Sequence, residues 1–191
     1  MGVKAGEAHL SWGGPTVYKG KDTLLVNFKA DGFNFLDEEK IYLDPTSYTP
    51  LFVERDLNIF GKKEQISEEY LMDLGQIKIT KVVGGKSSQQ ILNKAGVVDN
   101  IYGFIFRYRK EGSFKVGDVI DVNLPTKDLK IELIKMLKVQ AAGQTYNSFY
   151  MQSKPAKYKI WFSTDTKRLP LRISGAVGIA NTVMVMADYK E

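Results

Sequence analysis

The groups in this chain that could do chemistry are few and scattered. His9 is its only histidine and there is no cysteine, which removes disulfides, thiolate metal sites and thiolate nucleophiles. A histidine catalyst needs an orienting acid and a nucleophile, and a histidine metal site needs further ligands. Glu7 and Ser11 share the strand parity of His9, but an i±2 relation is too generic to make a triad. The adjacent carboxylates Glu38-Glu39 and Glu68-Glu69 fall on opposite faces of any strand that carries them, so neither is an acid–base couple. Two carboxylates brought together from distant strands, as in a carbohydrate-active enzyme, form the competing class. No catalytic residue is assigned, no cofactor or metal is expected, and the chain reads as a non-enzyme.

Binding chemistry is better supplied. The formal net charge is +5, and the whole excess lies C-terminally: residues 1–112 hold 15 Lys/Arg against 15 Asp/Glu, and residues 113–191 hold 12 against 7. Lys154, Lys157, Lys159, Lys167, Arg168 and Arg172 are the densest group. A solvated strand face accounts for them, and so does a patch for an anionic partner. Neither an RNP-like pattern nor a basic helix accompanies them, so nucleic acid is not an expected partner. Gly84-Gly85-Lys86-Ser87 carries part of a phosphate-loop pattern, but Thr80 stands where the first glycine belongs and no helix follows. That stretch reads as a hairpin turn.

Strands must position these groups. Residues 158–162 and 169–173 are apolar runs around the polar hinge Ser163, Thr164, Asp165, Thr166 and Lys167, a turn built from side chains that bond the local backbone. Pro170 belongs at a strand start or edge. Upstream, runs at residues 3–12, 23–30, 40–43, 51–60, 64–72, 76–82 and 87–92 are separated by Gly, Asp and Pro punctuation such as Gly13-Gly14-Pro15. Along 51–60, Leu51, Val53, Leu57 and Ile59 make one face, interrupted by Arg55. Strands resume at 118–124, 129–139, 146–152 and 176–187. The last carries Val177, Ile179, Val183 and Val185 on one face and small residues with Met184 and Met186 on the other.

One segment has a different period. Val97, Ile101, Phe104, Ile105 and Tyr108 follow helical spacing, with Asp99 as the expected N-cap and Gly112 just past the end. The spacing predicts one largely buried helix over 99–110. The expected fold is all-β: an antiparallel meander of roughly ten to thirteen strands, residues 1–191 as a single domain, curled into an open barrel around that helix.

The run Trp161-Phe-Ser-x-Asp-x-x-Arg-Leu-Pro-Leu-Arg resembles the C-terminal signature of an exported bacterial family, domain of unknown function thirty-one-oh-eight. Gly2-Val-Lys-Ala-Gly-Glu-Ala8, Tyr42-Leu-Asp-Pro45 with Tyr48-Thr-Pro50, and residues 99–109 followed by Phe114-Lys-x-Gly-Asp118 resemble its other segments in order. Tyr102 departs from the family's usual Ser, and Asn58-Ile-Phe-Gly61 from its usual Glu-Gly. The resemblance implies an open barrel in a periplasmic or outer-membrane-associated protein, with no agreed catalytic residues. Residues 1–7 contain no apolar h-region, so an export leader is expected to lie upstream of them. Contact with the membrane is expected to be peripheral at most.

A curled sheet of this length leaves an interior wide enough for a ligand. The expected function is therefore non-catalytic carriage of an amphiphile, a lipid or glycolipid. Phe104, Ile105, Tyr108, Met184 and Met186 would line the chamber with Trp161, and Lys157, Lys159, Arg168 and Arg172 would meet an anionic head group. The alternative is a structural or assembly protein with no small ligand and an envelope protein as its partner.

Overall fold

Two antiparallel sheets carry most of the chain in the computed structural model, which describes residues 6–175 and 182–190. The first comprises β1 (Gly6–Tyr18), β2 (Lys21–Gly32), β3 (Phe35–Leu43), β4 (Pro50–Ile59), β5 (Lys62–Leu71), β6 (Gln76–Val83) and β7 (Lys86–Asn93), each paired with the next. A single helix follows, α1 (Ile101–Glu111). The second sheet comprises β8 (Val119–Leu124), β9 (Lys127–Ala141), β10 (Gln144–Lys154), β11 (Lys159–Ser163), β12 (Pro170–Ser174) and β13 (Val183–Val185), again in chain order. Two compact units correspond, residues 1–104 and 105–191.

The all-β antiparallel meander with one buried helix is therefore the fold, but the barrel is corrected. The ladder stops after β7, a solvent-exposed strand whose neighbour in sequence is irregular chain and helix, and it restarts at β8. Among the described residues each sheet ends in unpaired edges and neither closes on itself. Residues 176–181 of the expected last strand, with Val177 and Ile179, lie outside the described residues, as does the 2–5 portion of the opening motif.

Local chemistry explains the joints. Lys19-Gly20, Phe60-Gly61, Gly84-Gly85 and Ala142-Gly143 all adopt positive φ, the two-residue hairpin geometry that matches strand twist. Gly13-Gly14-Pro15, expected as a turn, lies inside β1. The register slips there between Trp12 and Gly14, and Gly14 takes φ +79°, so the signal marks a bulge. The loop after β3 behaves as its sequence suggests: the Asp44 carboxylate accepts from the amides of Thr46 and Ser47 at 3.0 and 2.8 Å.

In the first unit one face of the sheet is apolar, with Val26, Phe28, Ile41, Leu43 and Ile77 all buried. Tyr102 stacks on Phe28 at 3.9 Å between ring centroids. A Cβ on Gly103 would come within 3.0 Å of Leu43, so the helix starts with a small residue against the sheet. The helix N-cap is Asn100, not Asp99: Asn100 Oδ1 accepts from the amides of Tyr102 and Gly103 at 2.9 and 3.3 Å. In the second unit Tyr108 packs near Phe114 and Phe162, over a core of Ile131, Leu133, Met151 and Ile160. Gly112, just past the helix, has no room for a side chain, since a Cβ there would lie 2.6 Å from both the ring and the carbonyl of Tyr108.

Candidate functional site

Within the second sheet, the residues expected to bind a ligand divide between its two faces. Phe104, Ile105 and Tyr108 are buried as core. Arg168, in the β11–β12 connection, lies 4.5 Å from the Phe114 ring and 4.9 Å from that of Phe149, and its Nη1 donates to the Thr164 carbonyl at 2.7 Å. Arg172 stacks over Trp161 at 5.1 Å, and Tyr150 flanks the same indole. The register puts Lys159, Trp161 and Arg172 on one face of the second sheet, whereas Met184 pairs with Ile173 on the other. Met186 packs on a small cluster of Val139, Ala141 and Leu171. Lys157 is exposed beside the Tyr158 ring, which Lys127 also approaches. The neighbouring Lys127, a hydrogen-bond donor of like charge, disfavours the charged form of Lys157 and holds it below its usual range.

What the structure assembles instead is a charged cluster within the first sheet. Alternation along β3 sends Asp37 and Glu39 to the apolar face, and Glu39 pairs across the ladder with Arg55 of β4. Arg55 donates through Nε to Asp37 Oδ1 at 2.7 Å and through Nη2 to Oδ2 at 2.6 Å. Its Nε also lies 3.3 Å from Glu39 Oε1. Asn100 Nδ2 donates to Glu39 Oε2 at 3.2 Å, so the residue that caps the helix is held by a carboxylate of the sheet. On β5, Tyr70 donates its hydroxyl to Glu68 Oε2 at 2.5 Å.

The electrostatics follow from burial. Asp37 has no exposed surface, and a lone buried carboxylate would be costly. Burial pushes Glu39 up to about 7, with Arg55 opposing and Asp37 adding to the rise. Glu68 is also raised by burial, against Tyr70 and Arg55. Burial pulls the Arg55 guanidinium down, but its bonds to Asp37 and the charge of Glu39 outweigh this and leave it raised. Glu39 is thus a group that takes up or releases a proton near neutrality, set against a helix terminus. Among the described residues no cluster of three or more His, Cys, Asp or Glu could hold a metal ion.

A second polar group occupies the opposite face of this sheet. Tyr18 and Tyr42 stack at 3.8 Å and both donate to Glu54, at 2.6 and 3.1 Å. Burial, then the charge of Glu54, pushes the Tyr42 phenol up to about 12. Lys19 and Lys21 cover the buried Phe52 ring at 5.0 and 5.6 Å. His9 sits apart on β1, in an open depression of about 470 Å³ with Lys29 and Asp31.

Arg55 was the legible sign of the charged cluster, since a guanidinium on the apolar face of a strand needs buried partners. Which acids supply them is a matter of cross-strand register. No family model matches the chain, and a search of curated proteins returns no match.

Proposed function

We propose that the protein is a non-catalytic interaction and assembly module of the bacterial cell envelope, acting through its surfaces rather than by holding a ligand in a chamber. The observation that carries this reading is the use of the expected chamber lining as core. Phe104, Ile105 and Tyr108 are buried, and the Arg168 and Arg172 guanidinium groups are engaged by aromatic rings. The non-catalytic part is supported by the commitment of the buried acids, Asp37 to Arg55 and Glu39 to Arg55 and Asn100. The envelope location rests on the exported-family resemblance of the 161–172 segment. Membrane contact in this reading is peripheral, and no helix among the described residues is long and apolar enough to cross a bilayer.

The second reading is carriage of a lipid or glycolipid. It is favoured by an open depression of about 270 Å³ lined by Leu57, Ile59, Phe60, Lys62 and Glu64, an apolar floor with charges of both signs. Native mass spectrometry of protein purified from the cells that make it separates the two. The interaction reading expects a protein partner and no bound lipid. A lipid or glycolipid adduct that disappears in Leu57→Asp would replace it with the carrier reading.

A further inference from the structure

The two edges of the seven-stranded sheet are built differently. β1 is interrupted by its bulge at Trp12/Gly14 and carries Pro15, which has no amide to donate. β7 reads Lys-Ser-Ser-Gln-Gln-Ile-Leu-Asn, pairs with β6 without a register shift, and is exposed at every residue except Leu92. Its one charge, Lys86, stands at its first position. Edge strands are ordinarily blunted by charge, proline, a bulge or shortness, and beyond Lys86 at its start β7 shows none of these. In the other sheet the edges are β13, of three residues, and β8, of six with Asp121 in its middle.

The outward amides of β7 can be identified. Lys94 N donates to Gly75 O at 2.8 Å, a pair that continues the β6–β7 register. Bonded and non-bonded pairs alternate in an antiparallel ladder, so Leu92, Gln90, Ser88 and Lys86 bond inward to β6. Ser87, Gln89, Ile91 and Asn93 therefore turn their N–H and C=O groups away from the sheet.

We infer that β7 pairs antiparallel with the β7 of a second copy of this chain, about a two-fold axis through Gln89. Charge sets the register. An axis through Gln90 would place Lys86 opposite Lys94 of the second copy, whereas the axis through Gln89 places Lys86 opposite Leu92 and Ser87 opposite Ile91. Three bonded pairs then form, with roughly six backbone hydrogen bonds, and Ile91, 52% exposed in the single chain, gains a cross-strand neighbour. Pairing of β7 with β1 of another copy would propagate as an open filament, and the bulge and Pro15 interrupt β1. Two-fold pairing uses the vulnerable edge and closes. The proposal rests on the interaction reading and names its surface and partner.

Because the chain has no cysteine, Gln89→Cys supplies a unique cross-linking site. Facing residues of a bonded pair have Cα atoms about 5.5 Å apart, within disulfide reach. Sedimentation velocity on the full chain is expected to show a concentration-dependent dimer. Oxidised Gln89→Cys is expected to trap it, while Lys19→Cys on the β1–β2 turn does not. Gln89→Lys opposes like charges on the axis and should weaken the dimer by roughly tenfold or more, with an unchanged circular-dichroism spectrum. A chain that stays monomeric at high micromolar concentration, or a dimer that Gln89→Cys fails to trap, overturns the pairing. Native mass spectrometry of the same sample judges the interaction reading separately: bound lipid overturns that reading, whatever the state of β7.

Discussion

Arg55 clasps Asp37 through two parallel hydrogen bonds of 2.7 and 2.6 Å, on the largely apolar face of the first sheet. A planar guanidinium matches a carboxylate in this fork geometry, and lysine cannot reproduce it. The pair fixes β3 against β4 at the place where Glu39 reaches for the helix cap.

Removing the cation leaves Asp37, which has no exposed surface, as an uncompensated buried charge. Arg55→Met is expected to cost about 3–5 kcal/mol, read from urea denaturation midpoints at constant m. Asp37→Asn keeps the shape, leaves Glu39 as counter-ion to Arg55, and should cost less. A loss below about 1 kcal/mol for Arg55→Met would show that water reaches the cluster.

Glu39 gives the protein a pH dependence of unusual sign for an acid. Burial, opposed by Arg55, raises its folded value to about 7, above the roughly 4.3 of an unfolded glutamate. The folded state then holds more protons between those values, so this contribution to stability falls as pH rises through the window and levels off above it. Glu68, also raised by burial, acts in the same direction. Glu39→Gln should flatten the dependence, so that its stability relative to the parent is more favourable at pH 8 than at pH 5. Coincident slopes in the two proteins would remove Glu39 from the account.

Asn100 carries the helix start. Asn100→Ala is expected to lose about 1 kcal/mol from the cap alone, together with the bond to Glu39. Asn100→Ser retains capping chemistry and should recover part of that loss. Thermal denaturation of the two variants decides it, and equal melting points would refute the assignment of Asn100 as N-cap.

The Arg168 guanidinium packs against Phe114 and Phe149 and donates to the Thr164 carbonyl. Arg168→Ala strips the cation from Phe114 and Phe149 and leaves the Thr164 carbonyl without that donor, for an expected loss of about 1–2 kcal/mol. Binding of anionic vesicles should be no weaker than in the parent. Reduced vesicle binding with intact stability would return Arg168 to a ligand-contacting role.

Strand order and the position of the helix could be read along the chain because both depend on local periodicity. Alternation at 51–60 and 76–82, the glycine turns, and the helical spacing of Val97 through Tyr108 each need only neighbours in sequence. The same locality misled at Gly13-Gly14-Pro15, where turn chemistry serves a bulge, and at Asp99, where two adjacent residues are both competent caps and only the fold selects Asn100. Barrel against two sheets could not be read at all, since closure depends on whether the last strand of one ladder finds a partner. β7 and β8 are separated by irregular chain and a helix and do not pair with each other, and no local pattern announces that. The Asp37–Arg55–Glu39 cluster depended on tertiary structure for a related reason. Arg55 signalled that a buried charge needs a partner, but its acids lie 16 and 18 residues away and meet it only through the β3–β4 register. Period belongs to the sequence, while pairing is a free-energy choice among surfaces that exist only once the strands have formed.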